Sequence, residues 1–164
     1  MRNALSYDDV LLMPAYSDIK SNGLVLGMPI LASPMDTISE SAMAIEVGKL
    51  GGAAVIHRYN SIEMQARLIS LSRDISKSSH KLSINVGAAV GVSGDYIKRA
   101  KACVDAGATF ICVDVAHGHH AMMKEALSEL RKTFGNSFHI MAGNVATLQG
   151  TNDLSDWGAD SVRC

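Results

Sequence analysis

Residues 82–114 read LSINVGAAVGVSGDYIKRAKACVDAGATFICVD, and this stretch sets the fold class. It opens with an apolar run at Leu82–Val86 and closes with another at Phe110–Asp114, and both runs are typical of buried strands. Between them, apolar residues recur at the spacing of a one-sided helix: Ile97, Ala100 and Val104. The stretch therefore predicts a strand, a helix and a second, parallel strand, which is the unit of an α/β fold.

The same unit repeats in both directions along the chain. Four further runs predict buried strands: Pro29–Ser33, Ala53–His57, His139–Gly143 and Ser161–Cys164. Three further sets of apolar residues predict helices: Met43, Val47 and Leu50; Ile62, Ala66 and Ile69; and Met123, Leu127, Leu130 and Phe134. A repeat of roughly 22 to 30 residues requires parallel strands with right-handed crossovers. It fits a doubly wound sheet or a (β/α)8 barrel of about 250 residues, and periodicity leaves that choice open.

The predicted helix boundaries have their own sequence signals. Ser39 and Ser61 precede helices and are predicted N-caps, and Asp36 or Thr37 could serve the same purpose before the first helix. Glycine is favoured just past a helix because it enters the left-handed conformation without steric cost. Four glycines fall at or near predicted helix ends: Gly48, Gly51, Gly107 and Gly158.

Composition excludes several classes of function. The chain has 164 residues, and its 15 Lys and Arg are balanced by 16 Asp and Glu, so no nucleic-acid partner is expected. No apolar run approaches the ~20 residues of a membrane span, and residues 1–9 do not resemble a signal peptide. Three cysteines without a C-x-x-C pair disfavour disulfides and zinc, so a cytoplasmic location is expected and Cys103 and Cys112 are predicted to be core residues.

Candidate functional residues follow the predicted strands, because parallel α/β folds place their sites at strand carboxyl ends. They are Ser33 with Asp36, His57 with Arg58, Asp114 with His117, Asn144 with Thr147, and Arg163. Each could instead cap a helix or shape a turn. Asp114 is the strongest candidate, since it ends an apolar strand and a buried carboxylate needs a partner, such as the paired hydroxyls of a ribose.

Two motifs carry less weight. The run His117-Gly-His-His lacks a second group of ligands at a metal-binding spacing, so no metal site is predicted and solvated histidines are expected. The segment Gly87–Gly94 is glycine-rich and follows a predicted strand. It matches neither a P-loop nor G-x-G-x-x-G, so no Rossmann dinucleotide site is predicted.

Six blocks of sequence, in order, resemble the IMP dehydrogenase and GMP reductase family. They are YDDVLLMPAYS at 7–17, SPMDT at 33–37, GGAAVIHR at 51–58, VGAAVGV at 86–92, DVAHGH at 114–119 and AGNVAT at 142–147. The resemblance implies a parallel (β/α)8 TIM barrel truncated in the sixth strand. Residues 1–164 would form one partial barrel domain with the first five βα units and the start of strand six. The regulatory CBS modules common in the dehydrogenase would be absent, since only residues 72–81 stand at their insertion point.

The resemblance also implies the chemistry of the complete enzyme. In the family, a cysteine thiolate after the sixth strand attacks C2 of the purine, and hydride passes between that carbon and a nicotinamide. By resemblance, the purine nucleotide would be bound and supported by Ser33, Met35, Asn144 and Arg163. Asp114, with Val115 and Ala116, would hold the nicotinamide ribose, and Arg58 would lie near the outer part of the dinucleotide. A homotetramer is expected for the complete enzyme.

No catalytic residue is expected within this chain. By resemblance, the nucleophile and the potassium-binding loop would follow Cys164, which is not itself the nucleophile, so the isolated chain is expected to be inactive. The cofactor would be NAD for a dehydrogenase or NADP for a reductase. Ser33–Thr37, Gly51–His57 and Val86–Gly91 are closer to the dehydrogenase, whereas Val115-Ala116 is closer to the reductase. The larger number of blocks favours the dehydrogenase.

Two non-catalytic hypotheses remain beside the enzyme. The chain could be one subunit of a split barrel whose complementary C-terminal half is a separate polypeptide, since open parallel edges need covering. Alternatively, it could be a nucleotide-binding remnant that kept the early pocket without the chemistry.

Overall fold

The computed structural model describes residues 24–78 and 84–164. These residues form six strands alternating with five helices: β1 (Leu31–Ala32), α1 (Ser41–Lys49), β2 (Ala53–Ile56), α2 (Ile62–Ser78), β3 (Asn85–Val90), α3 (Tyr96–Asp105), β4 (Phe110–Asp114), α4 (Ala121–Phe134), β5 (His139–Gly143), α5 (Leu148–Asp156) and β6 (Ser161–Arg163). All neighbouring strands pair in parallel.

The strands lie in the sheet in chain order, from β1 to β6. A doubly wound sheet would reverse direction at a switch point, and the described sheet has no such reversal. The architecture is therefore a half-barrel, as expected for a truncated (β/α)8 barrel. Among the described residues, no helix is both long enough and apolar enough to cross a bilayer.

The two faces of the sheet bury different residues, because side chains alternate along a strand. One face packs under the helices in the main core, as Ile56 and Ile111 do. The opposite face, the inner face of the half-barrel, has its own smaller cluster: Ala53, Val55, Ala89, Phe110 and Cys112. Both Cys103 and Cys112 are buried, which confirms their prediction as core residues.

Strands β4 and β5 begin and end where the sequence pattern predicts, but β1 and β3 do not. Strand β1 is limited to two residues. The predicted strand ended at Val86, but β3 continues to Val90, so Gly87 lies inside it. The first two residues of the predicted strand, Leu82 and Ser83, are outside the described residues. A Cβ on Gly87 would collide with the ring of Phe110 on the neighbouring strand, so the glycine serves packing rather than a turn.

Helix α1 buries a different face from the predicted one. Its buried residues are Ala44 and Gly48, whereas Leu50 is 68% exposed. Gly48 is the second-last residue of α1, near the helix end as predicted, and a Cβ there would collide with Ile84. Small residues therefore let α1 approach the core closely, a contact that apolar spacing could not indicate.

The predicted caps are partly correct. Ser61 accepts a hydrogen bond from the backbone N–H of Met64, as an N-cap should. Ser39 instead donates to the carbonyl of Ser33, and the N-cap residue of α1 is Glu40, without a side-chain capping bond. The other three glycines do occupy left-handed conformations just past their helices: Gly51, Gly107 and Gly158.

Candidate functional site

Asp114, Gly143 and Arg163 form one row across the carboxyl ends of β4, β5 and β6. All three belong to the inner face of the half-barrel by strand alternation. A Cβ on Gly143 would lie 2.7 Å from the Cβ of Arg163, so only glycine leaves room for the arginine to cross β5. Arg163 Nη1 donates to Asp114 Oδ1 at 2.6 Å.

The ion pair gives the Asp114 carboxylate a charged partner within the chain. The two side chains are 20% and 16% exposed, so neither charge is fully hydrated. The sequence suggested that a ligand hydroxyl pair would offset the cost of burying the carboxylate, but Arg163 already does so. Only Oδ1 is engaged, however, and Asp114 Oδ2 has no hydrogen-bond partner among the described residues. One acceptor at the site thus remains available to a ligand.

The thiol nearest to this pair is not an activated nucleophile. Cys112 Sγ lies 3.8 Å from Arg163 Nη1. Burial nonetheless raises the pKa of the Cys112 thiol to about 11, so the group is protonated at neutral pH. Cys103 behaves similarly, because burial raises its thiol pKa to about 12. Neither thiol is suited to covalent catalysis as it stands.

The segments after β4 and β5 are joined by backbone hydrogen bonds. Val115 donates to the carbonyl of Gly143 at 2.9 Å, and Asn144 donates to the carbonyl of Val115 at 2.8 Å. The side-chain oxygen of Asn144 is buried and has no partner among the described residues. A buried acceptor without a donor is costly, so Asn144 is suited to receive a hydrogen bond from a ligand.

A cavity of about 390 Å³ adjoins Asn144, and Ala116 contributes to its wall. Thr147, also in this wall, caps α5 by accepting from Gly150 N–H. Thr147 therefore has the structural role that the sequence left open, while Asn144 retains an unused acceptor.

Arg58 reaches the same region from β2. Its Nη2 atom lies 3.5 Å from the carbonyl oxygen of Asp114. Arg58 and Val115 also line a smaller pocket of about 160 Å³ beside the ion pair. The structure therefore gathers the predicted residues from four strand ends, β2, β4, β5 and β6, at one edge of the sheet.

Ser33 and Met35 lie apart from that group. Both follow β1 and are exposed, and no hydrogen bond in the described part of the chain links them to Asp114 or Arg163. The loop that carries them is held by His57, which is 2% exposed. His57 Nε2 lies 3.4 Å from Glu40 and 3.7 Å from Asp36, so Asp36 faces this histidine rather than capping α1.

The sequence predicted solvated histidines after β4, and this holds for the exposed His117 but not for His119 and His120, which have structural partners. His119 Nε2 lies 2.7 Å from Asp153 Oδ2, and its ring packs against Trp157. His120 caps α4 by accepting from Met122 N–H. Within residues 24–78 and 84–164, no three His, Cys, Asp or Glu side chains are arranged to hold a metal ion.

Gln65 and Arg99, which lie near the site, were not among the candidates that the sequence suggested. Gln65 is fully buried, and its amide donates to the carbonyls of Ile56 and Ala89 at 3.0 and 2.9 Å. Its oxygen accepts from Arg99 Nη1 at 2.9 Å. The available signal was a polar residue on the core-facing side of the α2 pattern, since a buried amide implies a defined set of partners.

A half-barrel with polar side chains at the carboxyl ends of its strands defines the class of (β/α)8 barrel proteins, whose sites lie at that edge. The family described as "IMP dehydrogenase / GMP reductase domain" matches residues 4–164, and the chain belongs to this family.

Curated relatives from both branches of the family are similar to the chain. It is 27% identical over 205 residues to an inosine-5'-monophosphate dehydrogenase of Cryptosporidium parvum, covering 97% of this chain and 50% of the relative. It is 27% identical over 215 residues to the enzyme of that name from Borreliella burgdorferi, covering 99% and 53%. It is 26% identical over 175 residues to a GMP reductase of Bacillus subtilis, covering 99% and 51%. The chain spans about half the length of these relatives.

Proposed function

We propose that the chain supplies the first half of the catalytic barrel of a cytoplasmic purine nucleotide oxidoreductase of the IMP dehydrogenase type. The reaction would convert IMP, NAD and water to XMP and NADH. Membership of the family, together with the Asp114–Arg163 pair at the carboxyl edge of the barrel, carries the proposal. In the complete enzyme we further propose a homotetramer and a bound potassium ion.

The cofactor side of the site would be formed by Asp114, Val115, Ala116 and Arg58. Asp114 suits a ribose because Oδ2 is an unused carboxylate acceptor, while Arg163 holds Oδ1 and so fixes the carboxylate plane. The nicotinamide would supply the hydride acceptor when bound. The contribution of these residues would be orientation, since a fixed acceptor positions the ring over the purine.

The substrate side would be formed by Ser33, Met35, Asn144 and Arg163. The unpartnered oxygen of Asn144 could accept a hydrogen bond from the nucleotide, and this would remove the cost of leaving it buried and unpaired. Met35 is 52% exposed and could pack against the purine. The loop of Ser33 and Met35 would approach the nucleotide from the β1 side.

A GMP reductase is the second candidate, in which GMP and NADPH give IMP, ammonia and NADP. The observation that favours it is Val115-Ala116 after Asp114, where the dehydrogenase usually has two serines. The hydroxyls of those serines would be missing from the cofactor side of this site. Relatives of both names match the chain at similar identity, so the residues of this site have to decide between them.

Calorimetric titration of the chain with IMP, GMP, NAD and NADP tests the proposal. We expect saturable binding of IMP and NAD, with NAD binding weakened about tenfold by Asp114→Asn because a charged hydrogen bond is replaced by a neutral one. The matched control is Asp105→Asn, an exposed aspartate at the end of α3. Preferred binding of GMP and NADP would favour the reductase. The absence of saturable binding of any of these nucleotides would refute both.

A further inference from the structure

The loop between β1 and α1, residues 33–40, is closed by its own hydrogen bonds. The backbone N–H groups of Ile38 and Ser39 both donate to the carbonyl of Met35, at 3.2 and 2.9 Å. The hydroxyl of Ser39, which is buried, donates to the carbonyl of Ser33. The side chains of Ser33 and Met35 are exposed on the compact turn that results, so the loop presents them in one fixed arrangement.

One residue of this loop has a strained backbone. Thr37 has a φ of 59°, in the left-handed region that a β-branched residue rarely adopts. Such a conformation costs free energy, and it persists only where surrounding contacts hold the backbone in place. Contacts from outside the loop are therefore expected on either side of Thr37.

His57, the first residue after β2, supplies such contacts from the strand that pairs with β1. The residue is buried, and its Nε2 atom lies 3.4 Å from Glu40 Oε1 and 3.7 Å from Asp36 Oδ1. Asp36 immediately precedes Thr37, and Glu40 is the last residue before α1. One imidazole therefore contacts the loop on both sides of its strained residue.

The orientation of the His57 ring is set by Tyr59. The backbone N–H of Tyr59 donates to His57 Nδ1 at 3.2 Å, so Nδ1 is an acceptor and the neutral ring carries its proton on Nε2. The Tyr59 ring also stacks on the imidazole, with 6.3 Å between the ring centroids. The Nε2–H donor is therefore directed at the two carboxylates of the loop.

The exposure of the two acids shows what these contacts can do. The side chains of Asp36 and Glu40 are 62% and 45% exposed, whereas that of His57 is 3% exposed. Contacts with exposed carboxylates contribute little to the stability of a whole fold. The main effect of His57 is therefore on the local conformation of residues 33–40.

We propose that His57 is a positioning residue, which holds the loop of residues 33–40 in the conformation that receives the purine nucleotide. This inference rests on the proposed function, in which the same loop forms part of the substrate side. His57 acts through Asp36 and Glu40 rather than by contact with the nucleotide, because its ring is buried. A loop that is fixed before binding loses less conformational entropy when the ligand binds, so the contacts of His57 strengthen nucleotide affinity.

Calorimetric titration of His57 variants with IMP and NAD tests the proposal. His57→Phe keeps a buried ring without either nitrogen, and it should weaken IMP binding about tenfold while changing NAD binding less than about twofold. His57→Gln places an amide N–H near the position of Nε2, so its IMP affinity should be within about threefold of that of the unsubstituted chain. His57→Asn has the same amide on a side chain one methylene shorter. Its N–H does not reach the carboxylates, so it should bind IMP as weakly as His57→Phe.

Substitution of the two acids tests the same contact without changing a buried residue. Asp36→Ala combined with Glu40→Ala removes both acceptors, and the exposure of these side chains means that the fold should be kept. This chain should bind IMP about as weakly as His57→Phe, and adding His57→Phe to it should cause no further loss. Glu46→Ala, an exposed acid on α1, is the matched control and should leave IMP affinity unchanged.

Hydrogen exchange in the absence of nucleotide measures the conformation of the loop directly. The backbone N–H groups of Ile38 and Ser39 should exchange at least about tenfold faster in His57→Phe than in the unsubstituted chain. In His57→Gln they should exchange at nearly the original rates. The N–H groups of β4, which lie in the middle of the sheet, are the reference and should exchange equally in all variants.

The outcomes separate this inference from the proposed function. Equal weakening of IMP and NAD binding in His57→Phe would overturn the positioning role, as would equal IMP binding by the Gln and Asn variants or additive losses in the combined variant. In each of these cases the proposed function would stand. Absence of nucleotide binding by the unsubstituted chain would instead refute the proposed function. The exchange rates would then decide whether His57 holds the loop, and unchanged rates in His57→Phe would show that it does not.

Discussion

Removing either partner of the Asp114–Arg163 pair should lower the free energy of unfolding. Removing both partners should lower it by less than the sum of the two single effects. The perturbations are Asp114→Asn, Arg163→Gln and the double variant, which preserve approximate side-chain shape while removing charge. Each single variant leaves one charge at a position where the side chain is only 16% or 20% exposed. The remaining charge then has neither its partner nor full hydration.

The magnitude follows from that exposure and from the 2.6 Å contact between Arg163 Nη1 and Asp114 Oδ1. Breaking a fully buried pair costs about 3–5 kcal/mol, whereas exposed pairs contribute about 0–1 kcal/mol. This pair is intermediate, so each single variant should lower the free energy of unfolding by about 2 kcal/mol. We expect a coupling energy of about 1–2 kcal/mol between the two positions.

Urea denaturation, followed by the fluorescence of Trp157 and by circular dichroism, measures all four free energies of unfolding. The denaturant slope should be the same in each chain, so that shifts in midpoint report stability alone. Lys101 and Asp105, both exposed on α3, provide a control cycle whose coupling energy should not exceed about 0.5 kcal/mol, as for an exposed pair four residues apart. Additivity of Asp114→Asn and Arg163→Gln within about 0.5 kcal/mol would refute the reasoning, because the pair would then contribute no specific stabilisation.

Three further predictions concern buried residues. Gly87→Ala should lower the free energy of unfolding by about 1–3 kcal/mol, measured by urea denaturation, because the new Cβ collides with the Phe110 ring; an unchanged midpoint would contradict it. Gln65→Met should be similarly destabilising, because the carbonyls of Ile56 and Ala89 would lose their amide donor and Arg99 its acceptor; an unchanged urea midpoint would contradict it. Burial lowers the pKa of His139 from its ordinary 6.5, so below that pH the unfolded chain takes up a proton more readily than the folded one. The contribution of His139 to stability should therefore be constant above about pH 6.5 and should decrease as the pH falls below it, measured as melting temperature. The fall should be shallower in His139→Gln.

Local patterns in the sequence predicted much of this fold because the relevant forces act over a few residues. Strands β4 and β5 were predicted with their observed bounds, since each is a short apolar run ending in a residue that suits a turn. Helix α4 buries Met123, Leu127 and Leu130 at the predicted spacing. The position of Asp114 at a strand carboxyl end also followed from these local patterns.

Two local predictions failed where packing between elements mattered more than spacing. The α1 pattern pointed to its larger apolar residues, but the approach of the helix to Ile84 selected Ala44 and Gly48 for the buried face. The predicted strand ended at Val86, but β3 continues through Gly87 to Val90, and the ring of Phe110 fills the space that a side chain at Gly87 would occupy. In both cases the deciding contact comes from a distant part of the chain.

By itself, therefore, the sequence determined the alternation of strands and helices, the strand-end position of the site and, through its six blocks, the family. Only the tertiary structure decided that Arg163 crosses Gly143 to reach Asp114, and that Gln65 presents Arg99 to a pocket shared with Arg58. Strand alternation is a local property of the backbone. The register between strands, by contrast, depends on how each helical crossover packs, and that register brings side chains 49 residues apart within 2.6 Å.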